Sequence, residues 1–213
     1  FATDSKSRQE LGQDLNELES LGISLHLGGH PVALLEEADL LVVSPGIAST
    51  HPLILKAQKQ QVEIVSELEL AWRFLSNNIR TIAVTGTNGK STTVSLIGHL
   101  MNAAGIDTWI GGNIGIPLSD LILLEKKPKW AVLEVSSFQL EWCQSFKPHI
   151  AAILNVTPDH LDRHGDIENY KNLKAQIWKH QAVEDFVVFN RDNKHSLELA
   201  GVAQGEKISS IGR

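Results

Sequence analysis

Residues 83–93, AVTGTNGKSTT, combine three residue types that hold phosphate groups in proteins. Gly89 is followed by Lys90 and then by two hydroxyl side chains, Ser91 and Thr92. The backbone N–H groups of such a loop can cradle phosphates at the N-terminus of a helix. The lysine then reaches the terminal phosphates, and a hydroxyl binds Mg²⁺. The usual G-x-x-x-x-G-K-[ST] spacing would need a glycine at position 84, where this chain has a valine.

A second interpretation of the same residues is an Asn-Gly turn followed by an ordinary helix cap. The flanking sequence helps to decide between the two. A strand is predicted at 80–85, before the loop, and an apolar helix containing Val94, Leu96, Ile97 and Leu100 after it. A strand, a glycine-containing loop and a helix in this order favour nucleotide binding.

Glu134 lies at the end of the apolar run in KWAVLEVSS, residues 129–137, which predicts a strand at 130–135. In open α/β sheets, ligands gather at the carboxyl ends of the strands. A carboxylate there, one strand away from a phosphate loop, is well placed to bind the Mg²⁺ of a nucleotide, because Mg²⁺ prefers hard oxygen ligands. The alternative is that Glu134 only caps a turn or pairs with a lysine.

The segment NVTPDHLDRHG, residues 155–165, is predicted to open a helix with Thr157 as its cap and Pro158 at its first position. His160 then lies near the mouth of the site, either as a ligand or in a capping role. His164 follows four residues later, but a leucine stands where the H-E-x-x-H motif has its glutamate. The zinc-protease interpretation therefore lacks its catalytic base, and we expect His164 to be solvated.

Lys174 falls within the apolar arc of the next predicted helix. At about 100° per residue, it lies among the side chains that this helix would bury, namely Ile167, Tyr170, Leu173, Ile177 and Trp178. A lysine on an apolar face usually extends its amine to water. The other possibility is that Lys174 is placed for chemistry, because desolvation favours the neutral amine. A neutral amine reacts with CO₂, and the resulting carbamate is a carboxylate able to bind metal.

The composition excludes several classes of protein. The 213-residue chain is 42% hydrophobic and has a net charge of −6, without the clustered basic residues that nucleic-acid binding requires. Its single cysteine, Cys143, rules out an internal disulfide and fits a reducing cytosol. No apolar run approaches the roughly 20 residues of a membrane span, and no signal peptide is visible. We expect a cytoplasmic protein without membrane insertion.

Strands alternate with short helices along the chain, which predicts an α/β fold with parallel sheets. The first part has predicted helices at 7–21, 51–60 and 66–75 and strands at 23–27, 39–44 and 62–65. The second has strands at 80–85, 106–110, 130–135, 149–155 and 185–190, helices at 91–104 and 117–125, and two more helices within 158–180. We predict two domains, 1–78 and 79–213, each with its own sheet.

Four motifs stand in the order, and at plausible intervals, of one family: TGTNGKST, GGNIGIP, LEVSS and NVTPDHLDRHG. The chain resembles the Mur ligases, the ATP-dependent amino-acid-adding enzymes of peptidoglycan synthesis, over nearly its whole length. Within that family, SSFQLE and VVSPGI are similar to the members that add D-glutamate. Members that add the third residue typically have a histidine where Phe138 stands. Folate-polyglutamate ligases share the loop but are weaker matches elsewhere.

The resemblance implies a Rossmann-like N-terminal domain, a P-loop-type ATP-binding domain and a set of site residues. The ATP phosphates would be held by Gly86, Thr87, Asn88, Gly89, Lys90, Ser91 and Thr92. One Mg²⁺ would be bound by Ser91 and Glu134, and a second by His160 and a carbamylated Lys174. The muramoyl-alanine part of the substrate would contact Ser44, Asn113, Ser136, Gln139 and His160, and its uracil end would contact Asp4, Ser5 and Lys6. The catalytic residues would be Lys90, His160 and Lys174.

The implied reaction uses ATP to activate the alanyl carboxylate of UDP-N-acetylmuramoyl-L-alanine as an acyl phosphate, which the amine of D-glutamate then attacks. We expect the enzyme to act as a monomer. The family's glycine-rich first strand-turn-helix, its adenine-binding segment and its third domain are not found in this sequence. The chain is therefore expected to be a fragment with both domains incomplete and to have no ligase activity by itself. Unpaired sheet edges would also put the folding of the isolated fragment at risk.

Three other functions stay open at this point. The chain could belong to a ligase that adds another amino acid, or to a P-loop NTPase or kinase with a different acceptor. It could also be a regulatory module that binds a nucleotide without catalysis. The regulatory module is disfavoured by the presence of all three of Glu134, His160 and Lys174, since a protein that only binds a nucleotide needs no second metal site.

Overall fold

Parallel strands flanked by helices make up the computed structural model, which describes residues 1–12 and 15–210. The predicted α/β class is confirmed. The chain divides into two units: unit 1 contains Phe1–Leu41 and Ile47–Ile64, and unit 2 contains Val42–Gly46 and Val65–Arg213. The predicted domain boundary near residue 78 stays a prediction. None of the helices in the described residues combines the length and hydropathy that crossing a bilayer requires.

The described residues among the first 66 form four short strands, three α-helices and a 3-10 helix. In chain order these are β1 (Ala2–Asp4), α1 (Arg8–Leu11), α2 (Leu15–Ser20), β2 (Leu25–Leu27), the 3-10 helix Val32–Glu37, β3 (Leu40–Val43), α3 (Pro52–Gln60) and β4 (Glu63–Ser66). β1 pairs with β2 in parallel, and β3 and β4 form a separate two-stranded sheet. The expectation of one sheet for the first part of the chain is therefore wrong.

The single predicted helix at 7–21 is also wrong. α1 ends before Gly12, whose φ of +85° lies in the left-handed region where a side chain is unfavourable. α2 begins at Leu15. Residues 13 and 14 of the predicted helix lie outside the described part of the chain.

The remaining elements belong to the larger second unit. They are α4 (Glu67–Phe74), β5 (Arg80–Thr85), α5 (Lys90–Ala103), β6 (Thr108–Gly112), α6 (Leu118–Leu123), β7 (Trp130–Glu134), α7 (Ser137–Leu140), β8 (Ile150–Ile153), α8 (Leu161–His164), α9 (Ile167–Ala175), the 3-10 helix Gln176–Trp178, β9 (Phe186–Asn190), α10 (Lys194–Ala200) and β10 (Glu206–Ser210). Strand β6 lies two residues later than predicted, and helices α7 and α10 were not predicted.

β5 to β10 form one parallel sheet in the order β10-β9-β8-β5-β7-β6. Both faces of the sheet are covered by apolar side chains, as all-parallel sheets require. On one face, Ile82 and Val84 pack with Val94 of α5. On the other, Ala83 and its neighbours pack against side chains that include Tyr170 of α9. The chain leaves β5 toward β6 and β7, whereas β8 to β10 lie on the other side, so the topology reverses beside the carboxyl end of β5.

Candidate active site

The predicted phosphate loop, residues 86–89, connects β5 to α5 at the point where the topology reverses. Such a switch point is where open α/β sheets bind ligands. Gly89 caps α5 with φ +85°, in the left-handed region. A Cβ at Gly86 would lie only 3.1 Å from the Cβ of Leu154, so the loop runs close to the chain leaving β8. The strand, loop and helix arrangement expected from the sequence is therefore present.

Two lysines donate to carbonyl groups of this loop. Lys90 Nζ donates to the carbonyl oxygens of Gly86 at 3.0 Å and Thr87 at 3.1 Å. Lys174 Nζ also donates to the Gly86 carbonyl, at 3.0 Å, although it comes from α9. Both lysines predicted to be catalytic therefore converge on the same loop.

Lys174 is 1% exposed, so it does not extend to water. Its Nζ lies 4.4 Å from the centroid of the Tyr170 ring. Burial, together with the nearby charge of Lys90, lowers the pKa of Lys174 from 10.5 to about 7, and Asp159 opposes this shift. A large fraction of this side chain is therefore a neutral amine at neutral pH, which is the form that reacts with CO₂.

Glu134 lies at the carboxyl end of β7 and is 3% exposed. Its Oε2 accepts a hydrogen bond of 2.6 Å from Ser91 Oγ, at the start of α5. Its Oε1 accepts one of 2.9 Å from Asn113 Nδ2, just after β6. The structure thus brings together the two predicted ligands of the first Mg²⁺ and one residue predicted to contact the substrate. Neither alternative role, capping a turn or pairing with a lysine, accounts for these contacts.

His160 lies near the site, but the local structure differs from the prediction. Helix α8 begins at Leu161 with His160 itself at the N-cap, at φ +50°, so Thr157 is not the cap. Thr157 instead accepts a 3.2 Å hydrogen bond from Thr87 Oγ1 at its carbonyl, and its own N–H lies 3.0 Å from that oxygen. The His160 side chain stays half exposed, with its Nε2 3.6 Å from Asp159 Oδ2.

His164 is buried, so its predicted solvation is wrong. It is 4% exposed, and its ring stacks between Phe138 at 4.9 Å and Tyr170 at 5.2 Å. His164 Nε2 lies 3.1 Å from Ser137 Oγ. Burial, and secondarily the charge of Arg163, lowers the pKa of His164, so the histidine is neutral and acts as part of the packing.

The other residues predicted to contact the substrate fall into separate groups. Ser136 and Gln139 form a capping box at α7, in which Gln139 Oε1 accepts from the Ser136 N–H at 3.0 Å. Ser44 is exposed directly after β3. Asp4, Ser5 and Lys6 belong to unit 1 and follow one another at the end of β1, where Asp4 Oδ1 accepts from the Lys6 N–H at 2.8 Å. The roles of these residues stay predictions.

Two residues of the site had no role in the sequence-based prediction. Asn155 makes two side-chain hydrogen bonds to the backbone of Asn88 in the loop. Tyr170, which was predicted only to be buried, places its hydroxyl 3.4 Å from Thr87 Oγ1 and its ring against Lys174. An asparagine two residues after the end of β8, which neighbours the phosphate-loop strand, was the available signal for Asn155.

Residues 84–212, more than half of the chain, match the family model described as the Mur ligase middle domain. The chain belongs to the Mur ligase family. Residues 2–66 also match the N-terminal domain of MurD-like Mur ligases.

Individual Mur ligases give a finer comparison. The UDP-N-acetylmuramoylalanine--D-glutamate ligase of Trichlorobacter lovleyi is 48% identical over 193 residues, which is 91% of this chain and 43% of that protein. This Mur ligase chain therefore spans less than half the length of that relative.

Solved structures share the fold at lower identity. One is the UDP-N-acetylmuramate:L-alanyl-gamma-D-glutamyl-meso-diaminopimelate ligase from Neisseria meningitides, with a TM-score of 0.62 and 18% identity over 97% of this chain and 68% of that one. Another is a MurF ligase from Thermotoga maritima in complex with ADP, with a TM-score of 0.55 and 22% identity over 82% of this chain and 48% of that one.

The donor atoms of this Mur ligase chain fit one Mg²⁺ directly. Ser91 and Glu134 supply a hydroxyl and a carboxylate, the hard oxygens that Mg²⁺ prefers, next to the phosphate loop. Within the described ranges, no group of three or more His, Cys, Asp or Glu side chains could hold a metal ion. The second predicted cation, bound by His160 and a carbamylated Lys174, stays a prediction.

Proposed function

We propose that this Mur ligase chain is part of an enzyme that adds D-glutamate to UDP-N-acetylmuramoyl-L-alanine while converting ATP to ADP and phosphate. The observation that carries the proposal is the meeting of the phosphate loop, Glu134 and the buried Lys174 at the switch point of the large sheet. The 48%-identical relative, which is named for this reaction, supports the choice of D-glutamate.

The phosphate loop holds the ATP. Backbone N–H groups from Gly86 to Thr92 face the phosphates at the N-terminus of α5, where the helix dipole also favours negative charge. When ATP binds, Lys90 Nζ gives up its hydrogen bonds to the carbonyls of Gly86 and Thr87 and donates to oxygens of the terminal phosphates instead. The ADP in the MurF structure is consistent with a nucleotide in this fold.

The chemistry joins two anions, the terminal phosphate and the alanyl carboxylate. A carboxylate oxygen bonds to the terminal phosphorus as its bond to ADP breaks, and the resulting acyl phosphate is attacked by the D-glutamate amine. The amine loses a proton and phosphate leaves. Lys90 reduces the repulsion between the anions through its fixed positive charge.

Ser91 and Glu134 would hold one Mg²⁺, which would supply further neutralisation of the phosphates. His160 and the carbamate of Lys174 would hold a second. Carbamylation forms a bond between the neutral Lys174 nitrogen and the carbon of CO₂ with loss of one proton, which turns a neutral amine into an anion. The lowered pKa of Lys174 makes this reaction accessible near neutral pH.

Asn113, Ser136, Gln139 and His160, with Ser44, contact the muramoyl-alanine part of the sugar nucleotide. Asp4, Ser5 and Lys6 bind the uracil end. We propose that the enzyme works as a monomer in the cytoplasm.

Phosphate release by the full-length protein tests the proposal. The mixture contains ATP, Mg²⁺ and UDP-N-acetylmuramoyl-L-alanine, with D-glutamate, L-glutamate, L-lysine or meso-diaminopimelate added in turn. We expect release only when both the sugar nucleotide and D-glutamate are present, with a matching amide product by mass spectrometry. Release that requires another amino acid would reassign the acceptor. Release without the sugar nucleotide would overturn the ligase proposal in favour of an NTPase.

A further inference from the structure

Asn155 lies where the chain leaves β8, alongside the phosphate loop that follows β5. The parallel ladder between these strands ends with Thr85 paired to Ile153, and the Leu154 N–H still donates to the Thr85 carbonyl at 3.0 Å. One residue further on, the Thr87 N–H donates to the Asn155 carbonyl at 3.0 Å. The loop is therefore held against the 154–155 segment beyond the end of the sheet.

The Asn155 side chain adds two more hydrogen bonds where backbone pairing stops. Its Oδ1 accepts from the Asn88 N–H at 2.9 Å, and its Nδ2 donates to the Asn88 carbonyl at 3.0 Å. A carboxamide offers one acceptor and one donor in a plane, as a peptide group does. Asn155 therefore acts toward Asn88 as one further residue of a neighbouring strand. Aspartate would lose the donor, and alanine would lose both contacts.

We propose that Asn155 is a positioning residue that holds the phosphate loop in its nucleotide-binding shape before the nucleotide arrives. The inference rests on the proposed role of this loop. With the Asn88 peptide fixed on both its N–H and its C=O, the neighbouring N–H groups of the loop keep their orientation in the empty protein. Preorganisation of this kind raises affinity, because less ordering is needed on binding.

A second asparagine provides a matched comparison. Asn193 pairs with the backbone of Val156 in the same way: its Oδ1 accepts from the Val156 N–H at 3.1 Å, and its Nδ2 donates to the Val156 carbonyl at 3.3 Å. Asn193 therefore supports the 154–157 segment through Val156 rather than through the loop, and it also caps α10, where its Oδ1 accepts from the Ser196 N–H at 2.9 Å. Its loss removes contacts of the same chemistry but leaves the Asn155–Asn88 pairing in place.

Calorimetric titration of Mg·ADP into the full-length protein tests this role. We expect Asn155→Ala to raise the Kd for Mg·ADP roughly 10- to 30-fold, as the loss of two hydrogen bonds predicts. Asn193→Ala should lower the melting temperature but change that Kd no more than about threefold. Asn172→Ala, an exposed residue of α9, should change neither. An unchanged Kd for Asn155→Ala, or an equal rise for Asn193→Ala, would overturn the proposal.

Three further measurements separate positioning from general destabilisation. Asn155→Ala should raise the KM for ATP by a similar factor while kcat at saturating ATP falls less than about threefold. The affinity for the sugar nucleotide should not change. In the empty protein, the Asn88 amide proton should exchange with solvent at least about tenfold faster. If the alanine variant does not fold, Asn155→Asp keeps the acceptor and the shape, and it should still raise the Kd for Mg·ADP.

These results remain informative if the proposed reaction is wrong. A protein that binds Mg·ADP but forms no amide with D-glutamate would overturn the proposed function alone, because calorimetry needs no acceptor. A protein that forms the amide but whose Asn155→Ala variant binds Mg·ADP normally would overturn the positioning role alone. A protein that binds no nucleotide would overturn both.

Discussion

Glu69 and Lys174 are both fully buried charged side chains of the second unit, yet their surroundings differ completely. The Glu69 carboxylate accepts hydrogen bonds from the Ser145 N–H at 3.0 Å, the Ser145 hydroxyl at 2.7 Å, the Phe146 N–H at 3.1 Å and Arg73 Nε at 3.0 Å. Lys174 Nζ donates to one carbonyl and otherwise faces the Tyr170 ring. The first charge is surrounded by donors, whereas the second has one acceptor and a second lysine nearby.

The pKa shifts follow from these surroundings. Burial opposes the ionisation of Glu69, but the hydrogen bonds from Ser145 and Arg73 outweigh it, so the pKa of Glu69 is lowered and the carboxylate stays charged. Burial and Lys90 lower the pKa of Lys174 to about 7, so its charge is disfavoured. A buried charge with a complete set of partners stabilises the fold. A buried charge with too few partners marks a site where chemistry needs a perturbed group.

Removing the Glu69 carboxylate should have the largest effect on stability. Glu69→Ala leaves the Ser145 and Phe146 N–H groups without their acceptor and removes the ion pair with Arg73, which should lower the free energy of unfolding by about 3–5 kcal/mol. Urea unfolding of the full-length protein measures this loss. The exposed Glu125→Ala is the control and should change stability by less than about 0.5 kcal/mol. A similarly small change for Glu69→Ala would contradict the conclusion that the hydrogen-bonded Glu69 carboxylate stabilises the fold.

Lys174→Ala should instead affect activity. If a carbamate on Lys174 is the metal ligand, ligase activity should fall roughly 100-fold or more. A short carboxylic acid such as acetate should restore part of it by occupying the vacated space. Lys179→Ala, an exposed lysine just beyond the second 3-10 helix, should keep its activity and show no response to acetate. Loss of activity without rescue would indicate a role for the amine itself.

The sequence predicted elements well where local periodicity decides them. Strand 80–85 was predicted with the bounds that β5 has, and the helix predicted at 91–104 is α5, Lys90–Ala103. The sequence-based prediction was wrong for the bounds of β6, which was predicted at 106–110 but continues to Gly112. The prediction stopped early because glycine is rare inside strands. There, β7 approaches so closely that a Cβ on Gly112 would lie 2.3 Å from the Glu134 carbonyl oxygen. That constraint comes from Glu134, 22 residues away in sequence, so local sequence does not reveal it.

In the candidate site, too, the sequence predicted what local periodicity decides and missed what distant contacts decide. The place of Lys174 within an apolar arc could be read from helical periodicity, and the structure buries it. The burial of His164 could not, because its partners Ser137 and Phe138 are more than 25 residues away in sequence. Asn155 was missed for the same reason, since its pairing with Asn88 spans 67 residues. Contacts that tertiary packing creates are not encoded in any local pattern.

The cost of burying Lys174 should be visible in stability. The unfolded lysine has a pKa near 10.5 and the folded one about 7, so below pH 7 both states are protonated and the full cost is present. Between pH 7 and 10.5 only the unfolded chain binds the proton, so the free energy of unfolding rises with pH. Lys174→Met should therefore stabilise the protein by on the order of 2 kcal/mol at pH 6, and by progressively less toward pH 10.

Lys171 is the control for that measurement, made in CO₂-free buffer so that no carbamate forms. It is also largely buried, but it pairs with Glu168 at 2.7 Å and Glu198 at 3.1 Å. The hydrogen bond that Lys171 donates to Glu168 raises the pKa of Lys171 against the effect of burial. Lys171→Met should therefore lower the free energy of unfolding, which is the opposite of the effect expected for Lys174→Met. Equal effects of the two substitutions would contradict the distinction between satisfied and unsatisfied charges.

Ser145→Ala gives the smallest and most selective change. It removes one hydroxyl donor from Glu69, the 2.7 Å contact, and leaves the backbone donors and Arg73 in place. We expect a loss of about 1–2 kcal/mol in the free energy of unfolding, the range for a hydrogen bond to a charged group. The exposed Ser95→Ala on α5 is the control and should be neutral. The Ser145 hydroxyl also helps to lower the pKa of Glu69, so Glu69 should become protonated at a higher pH in the variant than in the wild type. During acid unfolding, the variant should therefore lose the stability that Glu69 still provides at a higher pH than the wild type does. An unshifted acid transition would show that the backbone donors alone keep Glu69 ionised.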